Sequence, residues 1–244
     1  RSADHVLCLF PFEPELLRAH GVNATYVGHP LADVIPLEPD QAAARRSLGL
    51  PQDHTVLALL PGSRRSEIQY IAPALLQAAR LLQDQRPALR FVLPVAPGLD
   101  ALLQPLIQAH GPRDLLTVQG RSHEALAACD LTLIASGTAT LEAALFKRPM
   151  VIAYRMHPLS WQLMKRMAYQ PWVGLPNILC REFVVPELIQ DACTPAALAQ
   201  EALQWLDQSE RCAALRTRFA TLHQQLRCDT ATRAVDAIAK AIGA

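Results

Sequence analysis

From Thr55 to Tyr154 the chain alternates short apolar runs with stretches of helical spacing, and this alternation restricts the fold more than any other feature. Strands are expected over Thr55–Leu60, Leu89–Val95, Leu115–Val118, Leu131–Ala135 and Met150–Tyr154. A run as continuously apolar as Val56-Leu57-Ala58-Leu59-Leu60 suits a strand covered on both faces. Between the strands, helices are expected over Ile68–Gln83, Leu99–His110, His123–Cys129 and from Leu141 onward. The first of these places Ile68, Ile71, Ala72, Leu75, Leu76, Ala79 and Leu82 at helical spacing. Strand–helix alternation at this interval predicts an α/β fold: a Rossmann-like parallel sheet with helices on both faces. Three helices follow, over Pro195–Leu206, Glu210–Leu226 and Thr230–Ile242.

The flanks read differently. Val6–Phe10 and Ala24–Val27 are expected strands with a short helix, Glu13–His20, between them. From Gly28 to Pro39 there are three prolines and no clear period, which reads as a linker. A helix is expected over Pro39–Leu48, with Pro39 near its start and Gly49 just past its end. After Tyr154 the alternation is expected to stop. The chain begins at Arg1, directly before a strand, which predicts an excised or truncated piece.

In an open parallel sheet, ligands bind beyond the carboxyl ends of the strands. Two turns leave that edge. One is Pro61-Gly62-Ser63-Arg64, where glycine permits close backbone approach, serine donates a hydrogen bond and arginine offers a planar fork for phosphate oxygens. Arg64 is also suited to offset charge on a leaving diphosphate. The other is Ser136-Gly137-Thr138-Ala139-Thr140, which leads into a helix and leaves backbone N–H groups uncovered at its start. Glu142 falls about one turn in, where a carboxylate can accept from sugar hydroxyls. Asn177, within Leu175-Pro176-Asn177, offers an amide for a base or ribose. Each of these residues alone also fits an ordinary turn or a helix-dipole position. No Walker loop, G-x-G-x-x-G fingerprint or G-x-S-x-G elbow is present.

Composition removes several classes. A net charge of +1 gives no electrostatic case for a nucleic-acid partner. The six cysteines form no C-x-x-C pair, so thiols in a reducing compartment are expected rather than a metal or disulfide framework. The apolar runs are too short for a membrane helix. Basic and aromatic residues between Tyr154 and Trp172 (Arg155, Trp161, Lys165, Arg166, Trp172) fit a membrane surface, or a core-facing stripe with a solvated basic face.

Taken in order, Val27-Gly28-His29-Pro30 with Asp33, Leu60–Arg64 with Glu67, Ala135–Glu142, Tyr154-Arg155-Met156, Leu175-Pro176-Asn177, Glu187–Gln190 and Leu222–Cys228 form a set. This ordered set resembles the lipid-A-disaccharide synthases, two-domain glycosyltransferases of the GT-B architecture. The resemblance covers essentially the whole chain. It implies transfer of 2,3-diacylglucosamine from its UDP derivative to 2,3-diacylglucosamine 1-phosphate, giving the disaccharide 1-phosphate and UDP, with no metal and no cofactor. It implies that Gly62, Ser63, Arg64, Ser136, Gly137 and Thr138 meet the diphosphate, that Glu142 holds the ribose, and that Asn177 lies near the nucleoside. It implies a cytoplasmic enzyme, peripheral on the inner membrane. Such an enzyme carries a further N-terminal domain that binds the acceptor and holds candidate general bases. Residues 1–34 are then a remnant of that domain with its linker, and residues 35–244 the nucleotide-sugar domain with its C-terminal helices. The face left open predicts self-association, as in a homodimer, or low solubility. Two alternatives stand beside it: a UDP-N-acetylglucosamine 2-epimerase-like isomerase, which has a nucleotide-sugar site but not the Pro-Gly-Ser-Arg and Ser-Gly-Thr-Ala-Thr pair at this spacing, and a non-catalytic nucleotide-binding module.

Overall fold

A computed structural model describes residues 3–157, 161 and 171–242 of the 244-residue chain. Its centre is a six-stranded parallel sheet in the order β5-β4-β3-β6-β7-β8. The strands are β3 (Val56–Leu60), β4 (Arg90–Val95), β5 (Leu115–Gln119), β6 (Leu131–Ala135), β7 (Met150–Tyr154) and β8 (Glu187–Ile189). The order runs outward in both directions from the β3–β6 pair, so a crevice opens at the carboxyl ends of these two strands. In register, Ala58 of β3 faces Val92 on one side and Thr132 on the other. Every residue of β3 and β6 is buried, which explains their unbroken apolar character. The exception, Thr132, donates its hydroxyl to the Ala58 carbonyl at 3.0 Å.

Helices cover the sheet in two groups. α4 (Arg65–Gln85) packs against α5 (Asp100–His110) and α9 (Pro195–Asp207). α3 (Gln41–Leu48) packs on α6 (Ser122–Ala128), which in turn meets α7 (Thr138–Leu145). α10 (Ser209–Leu226) and α8 (Leu175–Cys180) both contact α7. The start of α3 is fixed by Asp40, whose carboxylate accepts the Ala43 N–H, and its end by Gly49 at φ +69°. Buried Arg45 ties α3 to the rear of the sheet. Its guanidinium reaches the Ala128 carbonyl and Asp130, and Asp130 also accepts the Val56 N–H.

Outside this sheet, β1 (His5–Cys8) and β2 (Asn23–Tyr26) form a parallel pair flanking α1 (Glu13–Ala19) in sequence. The last helix, α11 (Thr230–Ile242), packs against β1 and against α2 (Pro30–Val34). Asp33 of α2 accepts the N–H groups of Asp229 and Thr230 and so caps α11. The Tyr26 hydroxyl donates to the Gln225 carbonyl, and the His29 N–H to that of Leu226.

Three expectations change. The linker contains a helix, α2, opened by His29, whose Nδ1 accepts the Leu31 N–H with Pro30 at the first helical position. The alternation does not end at Tyr154, because β8 adds a sixth parallel strand beside β7. Grouping residues 35–244 together keeps α11 with the large sheet, whereas its contacts are with residues of the N-terminal segment. Most of the Tyr154–Trp172 stretch, read as fitting either a membrane surface or a core-facing stripe with a solvated basic face, lies outside the described residues. Among the described residues no helix is long and apolar enough to cross a membrane.

Candidate functional site: a cleft at the β3–β6 switch point

The turns after β3 and β6 face each other across a cleft of about 410 Å³. Gly62, Ser63, Arg64 and Glu67 line one side; Ser136, Gly137, Thr138 and Glu142 line the other. Pro94–Pro97, Gly120 and Ser122, at and just past the ends of β4 and β5, close a third. This volume lies within the range of small-molecule sites. Seven of the eight expected site residues therefore converge.

The turn after β3 is closed by its own carboxylate. Glu67, in the first turn of α4, accepts the Ser63 and Arg64 N–H groups on Oε2 at 2.9 and 3.2 Å. Its Oε1 accepts from Arg64 Nη1 at 3.2 Å. Gly62 sits at φ +107°, and a Cβ there would come within 2.4 Å of the Glu67 carboxylate. The Arg64 side chain is 80% exposed, so its guanidinium overhangs the cleft with one weak ion pair.

The turn after β6 is built otherwise. Gly137 at φ +151° precedes α7, and no side chain caps the helix start. Gly137 and Thr138 are exposed and line the cleft; among the described residues the Thr138 and Ala139 amides have no hydrogen-bond partner, whereas the Thr140 N–H donates to the Gly137 carbonyl at 3.1 Å. The turn is held from behind instead. Ser136 N–H donates to the Ala153 carbonyl at 2.9 Å, and Ser136 Oγ donates to the Val173 carbonyl at 2.7 Å. Val173 and Gly174 donate their own N–H groups to the two oxygens of Glu187.

Asn177 belongs to that support and not to the cleft. It is fully buried. Its Nδ2 donates to the Val185 carbonyl and to Glu187 Oε1, while its Oδ1 accepts from the N–H groups of Val184 and Val185. Both donors and both acceptor sites of the amide are taken, so nothing remains for a base or ribose. The expected nucleoside contact is replaced by a structural one: Asn177 folds the α8–β8 connection over Glu187.

Glu142 reaches the cleft from α7 with its side chain 19% exposed. His123 Nε2 lies 3.5 Å from Glu142 Oε2, and the imidazole rests edge-on against Phe146. Nearby, burial and then the Glu67 carboxylate push the Tyr154 phenol upward. Among the described residues, the charged groups lining the cleft are Arg64, Glu67 and Glu142. Arg64 and the helix and turn dipoles there are suited to an anion.

Sequence reasoning gave no role to Glu67, His123 or Glu187. Glu67 carried a signal, being an acidic residue three positions after the residue that opens α4. Glu187 stood in the ordered set without a role, and His123 carried no signal, because their partners come from other elements.

Two solved structures share this fold. A Listeria monocytogenes protein assigned as a UDP-N-acetylglucosamine 2-epimerase superposes with a TM-score of 0.68 at 16% identity, covering 99% of this chain and 60% of that one. WaaG, a glycosyltransferase involved in lipopolysaccharide biosynthesis, superposes with a TM-score of 0.62 at 13% identity, covering 96% and 63%. At such identities these likenesses establish the fold, the one shared by GT-B glycosyltransferases. By sequence, the chain is 60% identical over 243 residues to the lipid-A-disaccharide synthase of Verminephrobacter eiseniae. That match covers 98% of this chain and spans 62% of the relative's length. The family model for lipid-A-disaccharide synthetase matches residues 1–238, and the chain belongs to that family.

Proposed function

We propose that this chain is the donor-binding part of a lipid-A-disaccharide synthase, a hexosyltransferase. The whole protein would transfer 2,3-diacylglucosamine from its UDP derivative to 2,3-diacylglucosamine 1-phosphate, releasing UDP and lipid A disaccharide 1-phosphate. The observation that carries this reading is the cleft itself. An uncapped helix start at Gly137-Thr138, a carboxylate one turn in at Glu142 and an arginine across the gap at Arg64 meet at the switch point of a Rossmann-type sheet. Membership of the family supplies the substrate class.

In this reading the diphosphate lies between the start of α7 and the Arg64 guanidinium. Ser63 donates its hydroxyl, Ser136 holds the turn through its bond to the Val173 carbonyl, and Arg64 offsets charge as UDP leaves. Glu142 accepts both ribose hydroxyls, held in place by His123. Residues 1–34, with the two-stranded sheet and α2, belong to the acceptor domain and its linker. The general base lies outside this chain, so the isolated chain binds UDP weakly and forms no disaccharide. The whole enzyme would work in the cytoplasm against the inner-membrane surface, where its acylated substrates reside.

Calorimetric titration with UDP tests the site. The unsubstituted chain binds UDP, and Glu142→Ala weakens binding by about 2 kcal/mol, as expected for charged hydrogen bonds to two hydroxyls. No binding, or unchanged affinity in the variant, removes the basis of the assignment. Accumulation of free UDP from the donor by the whole enzyme separates transfer from epimerisation.

A further inference from the structure

We propose that Glu67 is a positioning residue for the donor diphosphate, acting through the Gly62–Arg64 turn rather than by touching the ligand. This rests on the reading of the cleft given above.

The turn is shaped around this carboxylate. Both backbone N–H groups that could greet an anion, those of Ser63 and Arg64, already donate to Glu67 Oε2. Gly62 leaves room for nothing else, since a Cβ at that position would stand 2.4 Å from Glu67 Oε2 and 2.6 Å from Glu67 Cβ. An ionised acceptor taking two amides makes strong, charge-assisted bonds. The exposed Arg64–Glu67 ion pair is weak by comparison. The direction of the arginine is therefore set mainly by the backbone that Glu67 holds.

A consequence follows for the ligand. A diphosphate can take the Ser63 and Arg64 amides only by expelling Glu67, which would remove the carboxylate that caps the start of α4 and unsupport the turn. With Glu67 in place, this wall offers the Ser63 hydroxyl and the Arg64 guanidinium instead. The opposite role, a carboxylate competing with the diphosphate for the same donors, predicts the opposite sign on substitution.

Titrations of the chain with UDP and with uridine distinguish these roles. Glu67→Ala is expected to weaken UDP about tenfold and to leave uridine within about twofold, because the effect passes through the diphosphate. Glu67→Gln, which keeps one acceptor oxygen, is expected to lose about threefold. The double variant Arg64→Ala/Glu67→Ala is expected to bind UDP within about twofold of Arg64→Ala alone, since a residue acting through Arg64 has nothing left to position. If Glu67→Ala does not fold, the same comparison is made with Glu67→Gln and its double variant. Tighter UDP binding on substitution, equal losses for UDP and uridine, or additive losses in the double variant each overturn the assignment. Failure of the unsubstituted chain to bind UDP overturns the reading of the cleft as well, so the two failures are distinguishable.

Discussion

The turn after β3 satisfies its own amides with Glu67, from within the helix it begins, whereas the turn after β6 is braced by residues far along the chain and leaves its helix start uncapped. In the first, the carboxylate stands where an anion would stand, and side chains alone project into the cleft. In the second, Ser136, Val173, Glu187 and Asn177 form a relay behind the turn, and the amides of α7 face forward. Both helices have positive ends, but the start of α4 is taken by Glu67. On the proposed function, the closed turn would serve as an arm for Arg64 and the open turn as the phosphate cradle.

Removing the relay should produce the largest effect. Asn177→Ala leaves the Val185 N–H and the Val185 carbonyl without their side-chain partner in a fully buried site and removes one of the donors to Glu187. A loss of about 3 kcal/mol in stability is expected from the buried groups left unsatisfied. Denaturant titration measures it. A change within experimental error would mean that the open turn does not depend on its backing.

A smaller effect sharpens the same point. Ser136→Ala removes the strut to the Val173 carbonyl while keeping the backbone bond to Ala153. Stability should fall by about 1 kcal/mol, the net value of one hydrogen bond. UDP affinity should fall with it, because the cradle is no longer held.

The smallest effect concerns the far end of α7. There Lys147 donates to His223 Nδ1 at 2.7 Å, and His223 Nε2 bonds the Ala32 carbonyl at 2.8 Å. Burial, then the Lys147 charge, holds the His223 pKa below its usual value, and burial alone lowers that of His29. The unfolded chain therefore binds more protons than the folded one as pH falls through about 6.5, so stability declines in that window. A fall of about 3 °C in melting temperature between pH 7 and 5.5 is expected, and His223→Gln should reduce it. For Lys147, lowered by burial to about 8, the sign is the same and the window differs: stability rises as pH climbs from about 8 toward 10.5.

The central strands were legible because both faces are buried, which leaves an unbroken apolar run in β3 and β6. The two turns were legible because glycine at positive φ is needed where each strand hands over to its helix. β8 was not, because three half-buried residues at a sheet edge make no pattern. Asn177 misled for a definite reason. Its chemistry suits a nucleoside, but the partners that saturate it are backbone groups of Val184 and Val185, whose return over the side chain no local sequence rule records. The pairing of α11 with β1 and α2 was hidden likewise by sequence distance.

The central claim is that the diphosphate is held at the open start of α7 while the amides of the closed turn stay with Glu67. Amide chemical shifts followed during UDP titration of the isotopically labelled chain test it most directly. The account predicts the largest shifts at Gly137, Thr138 and Ala139, with the Ser63 and Arg64 amides nearly unmoved. Large shifts at Ser63 and Arg64, with the start of α7 unchanged, would contradict it.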